Sequence, residues 1–114
     1  RLIRSMDPLL RKSDAGRAIF VTSGVTSLFM PYWGLYTATK AALEARVKVY
    51  AAELERTDVR ANLVGPGIVR TSMRAQAMPD EDPETLRPPE AVTDTFVALA
   101  SAACTRNGEI VSAA

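Results

Sequence analysis

The sequence predicts an α/β layer fold in which parallel strands are joined by helical crossovers. Three observations predict it. Short apolar runs closed by turn residues alternate with segments of helical period. The stretch from about Tyr36 to Glu55 is Ala-rich and holds no Gly or Pro, so it reads as a long helix. The resulting order of strand, helix, strand, helix, strand calls for right-handed crossovers between parallel neighbours. Three such strands make a small sheet, and a parallel sheet needs cover on both faces. The chain therefore reads as half of a larger doubly wound domain.

Each element has a local reason. Leu2, Ile3, Met6, Leu9 and Leu10 recur at helical spacing, giving an amphipathic opening helix that Asp7-Pro8 should kink. That helix already contains Arg1, so the natural start is expected upstream. Ser13, Asp14 and Gly16 make a turn. Ala18-Ile-Phe-Val-Thr-Ser23 is a buried strand, and Gly24 to Gly34 a loop. In the long helix, Ala41, Leu43, Val47, Val49, Tyr50 and Leu54 supply apolar residues on more than one side. Thr57-Asp58 turns into a second buried strand, Val59 to Val64, ended by Gly65-Pro66-Gly67. About Arg70 to Pro89 reads as irregular, with Asp80-Glu81-Asp82-Pro83-Glu84 as a solvated loop. A third helix runs from about Pro89 to Ala102, with proline where its missing N–H costs least. Arg106-Asn107-Gly108 leads to a last strand, Glu109 to Ser112.

Composition excludes several chemistries. The chain has 114 residues, enough for one domain, and is 47% hydrophobic and 24% charged, as a globular domain is. A net charge of +1 gives no electrostatic reason to expect nucleic acid or an anionic membrane as partner. With no histidine, neither a Ser-His-Asp nor a Cys-His mechanism can run on these residues, and no metal site is expected. The lone Cys104 permits no internal disulfide and suits a reducing cytoplasm. No apolar run is long enough to span a membrane.

Three motifs could carry chemistry. Tyr36-x-x-x-Lys40 opens the long helix, and residues four apart share a helical face. A cation near a phenol stabilises phenolate, which suits tyrosine to acid or base work near neutrality. The plain alternative is a surface lysine at an amphipathic helix start. Ser23 stands at the carboxyl end of the first strand, the edge at which open α/β sheets bind ligands. Its hydroxyl could donate to a carbonyl, or simply begin a turn. Asn62-Leu-Val-Gly-Pro66-Gly67-Ile-Val69-Arg-Thr71 leaves the second strand at the same edge. Its glycines permit close approach to a flat ligand, and the alternative is an ordinary strand-ending turn.

Taken together and in this order, the motifs resemble the short-chain dehydrogenases/reductases over nearly the whole chain. Gly16-Arg-Ala-Ile-Phe-Val-Thr-Ser23 is similar to the family's strand leading to its catalytic serine. Tyr36-Thr-Ala-Thr-Lys40-Ala-Ala-Leu is similar to its Tyr-x-x-x-Lys segment, and Val59-Arg-Ala-Asn62 with Pro66-Gly67 and Thr71 to the next strand and its nicotinamide-side loop. The resemblance implies a Rossmann-like doubly wound sheet, of which residues 1–114 are the C-terminal catalytic half with three strands and three helices. It also implies an oxidoreductase transferring hydride between NAD or NADP and a small-molecule carbonyl or alcohol.

In that reading Tyr36 is the general acid or base, Ser23 polarises the substrate carbonyl, and Lys40 binds the nicotinamide ribose and assists the tyrosine. Pro66, Gly67, Val69 and Thr71 hold the nicotinamide, and about Ser72 to Arg87 is a mobile substrate loop. The family's Gly-rich dinucleotide motif, its Asn-Asn-Ala-Gly strand and its catalytic asparagine lie outside these residues. A homodimer or homotetramer is expected, because one sheet covers only one face of the long helix, leaving Leu43, Val47 and Tyr50 or their neighbours in need of a partner. The alternative class is a non-catalytic piece acting through its interface helices. A hydrolase using Ser23 with Lys40 would leave Tyr36 and the Pro-Gly loop unexplained.

Overall fold

The computed structural model describes residues 1–114. Its element order is α1 (Leu2–Arg11), β1 (Arg17–Val21), α2 (Val25–Leu28), α3 (Gly34–Glu53), β2 (Arg60–Gly65), α4 (Ser72–Ala77), α5 (Thr93–Ala100) and β3 (Ile110–Ser112). Short 3-10 turns occupy Pro83–Thr85 and Pro89–Val92. The strands form one parallel sheet in the order β1-β2-β3. Ala18 stands opposite Ala61, Val21 opposite Val64, and Leu63 opposite Ile110.

Strand alternation divides the core between the two faces of β2. Ala61 and Leu63 join Val47, Tyr50, Ala51, Leu54 and Val59 on one side, under α1 and α3. Val64 joins Val92, Leu99 and Ala113 on the other, under α5. Burying each of Leu63 and Val64 contributes about 1.5–3 kcal/mol.

Polar side chains fix the amino-terminal edge. The Arg17 guanidinium donates to the main-chain oxygens of Gly16, Asp58, Ser101, Ala102 and Cys104 at 2.9–3.1 Å, so the start of β1 holds the chain leaving α5. Buried Asn62 donates to the Arg106 oxygen at 2.9 Å and accepts from the Glu109 amide at 3.1 Å. Asn107 bridges the Ala51 oxygen and the Ala61 amide. These bonds align the β3 turn with β2 at the amino-terminal edge. Gly16 is required for packing: a Cβ there would stand 2.6 Å from the Leu10 oxygen.

The three expected strands and the opening and long helices all form. Several expectations need correction. The chain has five α-helices rather than three. α1 passes through Pro8 to Arg11, because one missing amide donor does not end it and Asp7 is paired with Arg11 one turn on. Within the loop expected from Gly24 to Gly34, Val25–Leu28 forms one helical turn, α2, and the rest up to Trp33 is irregular as expected. The helix expected from Pro89 begins as a 3-10 turn, and α5 proper ends at Ala100.

The stretch after Arg70 is also more ordered than expected. Thr71 caps α4, accepting from the Arg74 amide at 3.1 Å. The acidic run is exposed at Asp80 and from Asp82 to Glu84, as expected of a solvated loop, and it also carries ion pairs: Glu81 receives two bonds from Arg74, at 2.7 and 2.9 Å, and Glu84 one from Arg70 at 2.8 Å. Finally, Val47 and Tyr50 are buried and Leu43 packs beside them within the same chain, so these residues are not the uncovered face. No helix is long and apolar enough to cross a membrane.

Candidate active site

β1 and β2 both end at the carboxyl edge of the sheet, and the sequence candidates follow those two ends or lie on the helix beside them. Val21 closes β1, and the Thr22 amide extends the ladder by donating to the Val64 oxygen at 2.9 Å. Ser23 follows at once and is half-buried. Its Oγ accepts from the Val25 amide at 3.4 Å, which leaves its own proton available to donate elsewhere.

α3 brings the second and third candidates to this edge. Tyr36 lies in its first turn and Lys40 one turn later. Lys40 Nζ donates to the Val21 oxygen at 3.1 Å and stands 5.8 Å from the centre of the Tyr36 ring. Trp33 packs its ring edgewise on Tyr36, with centroids 5.8 Å apart at 73°. The phenol ring is thus bounded by an indole on one side and an ammonium on another. The i, i+4 spacing does bring Tyr36 and Lys40 to one face, and Lys40 reaches back to the strand that delivers Ser23.

Pro66, Gly67, Val69 and Thr71 leave the neighbouring strand. Gly67 takes φ +74, a left-handed conformation that favours glycine, and a Cβ there would stand 2.9 Å from the Ala114 Cβ. At Gly65 a Cβ would meet nothing within 4 Å, so space is open beside the strand end. Val69 bridges to Arg87, and the Arg70 amide donates to the Arg87 oxygen at 2.8 Å, which closes the base of the 70–87 segment. Within it, Arg74 holds the Glu81 carboxyl below the usual carboxylate range, and Glu81 in turn pushes the Arg74 guanidinium up.

One member of the cluster is absent from the sequence candidates. Glu44 continues the helical row of Tyr36 and Lys40 by one more turn. Its Oε1 lies 2.5 Å from the Thr22 hydroxyl and 2.9 Å from that of Thr26. The i, i+4 continuation was the available signal, but its partners could be known only once α2 had folded. No group of three or more His, Cys, Asp or Glu side chains is placed to hold a metal ion. A hydroxyl, a phenol and an ammonium at one sheet edge can instead orient a carbonyl and exchange a proton with it.

The chain is similar to known proteins in sequence and in fold. The sequence model of the short chain dehydrogenase family matches residues 1–82. The chain is 40% identical over 98 residues to the "Uncharacterized oxidoreductase YciK" of Escherichia coli K12, covering 86% of this chain and 38% of that protein. It is 44% identical over 64 residues to an NADPH-dependent aldehyde reductase-like chloroplastic protein of Arabidopsis thaliana, covering 56% of this chain and 24% of that one. Among solved structures, a short chain dehydrogenase from Salmonella enterica serovar Typhi superimposes with a TM-score of 0.93 at 36% identity, over 98% of this chain and 46% of that one. A putative short chain dehydrogenase from Escherichia coli CFT073, complexed with NADPH, gives 0.91 at 36% identity, over 98% and 47%. The chain thus spans less than half the length of these relatives. On the match over residues 1–82 and the agreement of the sheet and helices, the chain belongs to the short chain dehydrogenase family.

Proposed function

We propose that residues 1–114 are the C-terminal catalytic part of an NAD(P)-dependent oxidoreductase that interconverts a small carbonyl compound and its alcohol. The observation that carries this reading is the Lys40 bond to the end of the strand that leads into Ser23, with Tyr36 one turn away on the same helix. Ser23 keeps a proton with which to hold the substrate carbonyl. Tyr36 donates the proton that the carbonyl oxygen acquires on reduction, or removes it in the alcohol direction. Lys40 stabilises the phenolate that remains and offers donors to ribose hydroxyls.

The residues after β2 fit the nicotinamide end of the cofactor, whose chemistry is to supply or accept hydride. Space is open beside Gly65 for a flat ring. Thr71 Oγ accepts from the Arg74 amide and so retains its proton for a carboxamide oxygen. Pro66, Gly67 and the Val69 backbone complete that wall. NADPH in the E. coli CFT073 structure and NADP in a Shigella flexneri relative favour the phosphorylated cofactor. The segment from Ser72 to Arg87 closes over the substrate.

Assembly through α1 and α3 belongs to the same reading, as does a cytoplasmic location. Leu2, Met6 and Leu9 on α1 and Val49 on α3 are exposed. Between the helices lies a groove of about 250 Å³ lined by Ile3, Ala45, Arg46, Val49, Tyr50 and Glu53. A second copy related by a two-fold axis would cover this face in a homodimer or homotetramer. The direct test of function is to mix the full-length protein with NADPH or NADH and a panel of aldehydes and ketones, following nicotinamide absorbance. Carbonyl-dependent oxidation supports the proposal, and its absence across the panel with both cofactors counts against it.

A further inference from the structure

We propose that Glu44 is the positioning residue for Ser23, acting through the two threonines that flank it. The inference rests on the function proposed above for Ser23 and Tyr36. The Glu44 Oε1 atom lies 2.5 Å from Thr22 Oγ1 and 2.9 Å from Thr26 Oγ1. Hydroxyl donors to a carboxylate make strong, short bonds. Thr22 is 4% exposed and anchored to β2 through its amide, so its side is fixed by the sheet. Thr26 lies in α2, and its hydroxyl is also 3.2 Å from the Ser23 oxygen. One carboxylate oxygen therefore joins the strand end before Ser23 to the helix after it.

Ser23 needs such support. The only bond at its own hydroxyl is the long 3.4 Å contact from the Val25 amide. Its position is consequently inherited from Thr22 and Thr26. Glu44 stands one turn beyond Lys40, which grips the Val21 oxygen, so α3 holds the β1 end at two successive levels. Tyr36 lies on the same helical row. The carboxylate thus sets the offset between the serine and the tyrosine, although it touches neither.

The experiment compares Glu44→Ala, Glu44→Gln and Arg17→Lys in the full-length protein. Arg17→Lys serves as a destabilised control, because Arg17 staples the opposite edge of the sheet. Glu44→Ala should lower kcat about tenfold or more, since small misplacements of reacting groups are costly, while the KM for NADPH stays near wild type. Glu44→Gln keeps a carbonyl oxygen for both threonines and should restore kcat to within about threefold. Amide hydrogen exchange over residues 22–28 should quicken in Glu44→Ala and not in Glu44→Gln. A wild-type kcat in Glu44→Ala overturns the proposal, as does an equal fall in Arg17→Lys at matched Tm. If the wild-type protein reduces no carbonyl, the functional reading fails by itself. Exchange then decides the tether, and unchanged protection of residues 22–28 in Glu44→Ala overturns it.

Discussion

Lys40 Nζ donates a 3.1 Å hydrogen bond to the main-chain oxygen of Val21, the last residue of β1. That bond converts a spacing on one helix into a place on the sheet. It sets the lysine at the carboxyl edge, one turn from Tyr36 and against the strand residue two positions before Ser23. A Tyr-x-x-x-Lys pair on an outward helical face would lack this connection.

Lys40→Ala removes both the cation and its donors. In the full-length protein, the KM for NADPH should rise about tenfold or more, as loss of a charged hydrogen-bond donor predicts. Steady-state kinetics at saturating carbonyl checks it. An unchanged KM would separate Lys40 from cofactor binding.

The contact between α1 and α3 should make stability fall at both ends of the pH scale. Tyr50 donates to Asp7 at 2.8 Å. That bond, with help from Arg11, holds the Asp7 carboxyl below its ordinary 3.8 against the opposing effect of burial. Its contribution is complete above 3.8 and is lost as pH falls through the lower folded value. Burial, and then the Asp7 bond, push the Tyr50 phenol up to about 12 from 10. That contribution is complete below 10 and is lost as pH rises through about 12. Tyr50→Phe should cost about 1 kcal/mol near neutrality and flatten both flanks. Thermal melts across pH test this, and a variant with wild-type flanks would refute the assignment.

Association should depend on the exposed face of α1 and α3. Light scattering on the full-length protein should give a dimer or tetramer at micromolar concentration. Val49→Glu, which places a charge on a residue that is already 60% exposed, should shift it toward monomer with little loss of Tm. A wild-type monomer would contradict the proposed interface.

Much of this architecture is legible from residue order. Val59 to Val64 is mostly apolar and bounded by turns, as suits a strand buried on both faces, and Ala61, Leu63 and Val64 are accordingly fully buried. The Tyr36–Lys40 pair follows from helical period alone. Residues whose roles depend on distant partners are not legible. Arg17 looks like a surface charge until the chain leaving α5 brings three carbonyls to it. The acidic run reads as a solvated loop, and nothing in its residue order shows that Arg74 and Arg70 pair with Glu81 and Glu84. Leu43, Val47 and Tyr50 suggest an uncovered face because period counts apolar positions without saying that α1 of the same chain folds over them.

The most direct test of the central claim is kcat for Tyr36→Phe in the full-length protein, measured with NADPH and a carbonyl that the wild type reduces. Phenylalanine keeps the ring against Trp33 and beside Lys40 and removes only the hydroxyl. General acid catalysis is worth about 10²–10⁴ in rate, so kcat should fall about a hundredfold or more while Tm stays near wild type. A variant that retains wild-type kcat would contradict the assignment of Tyr36 as the proton donor.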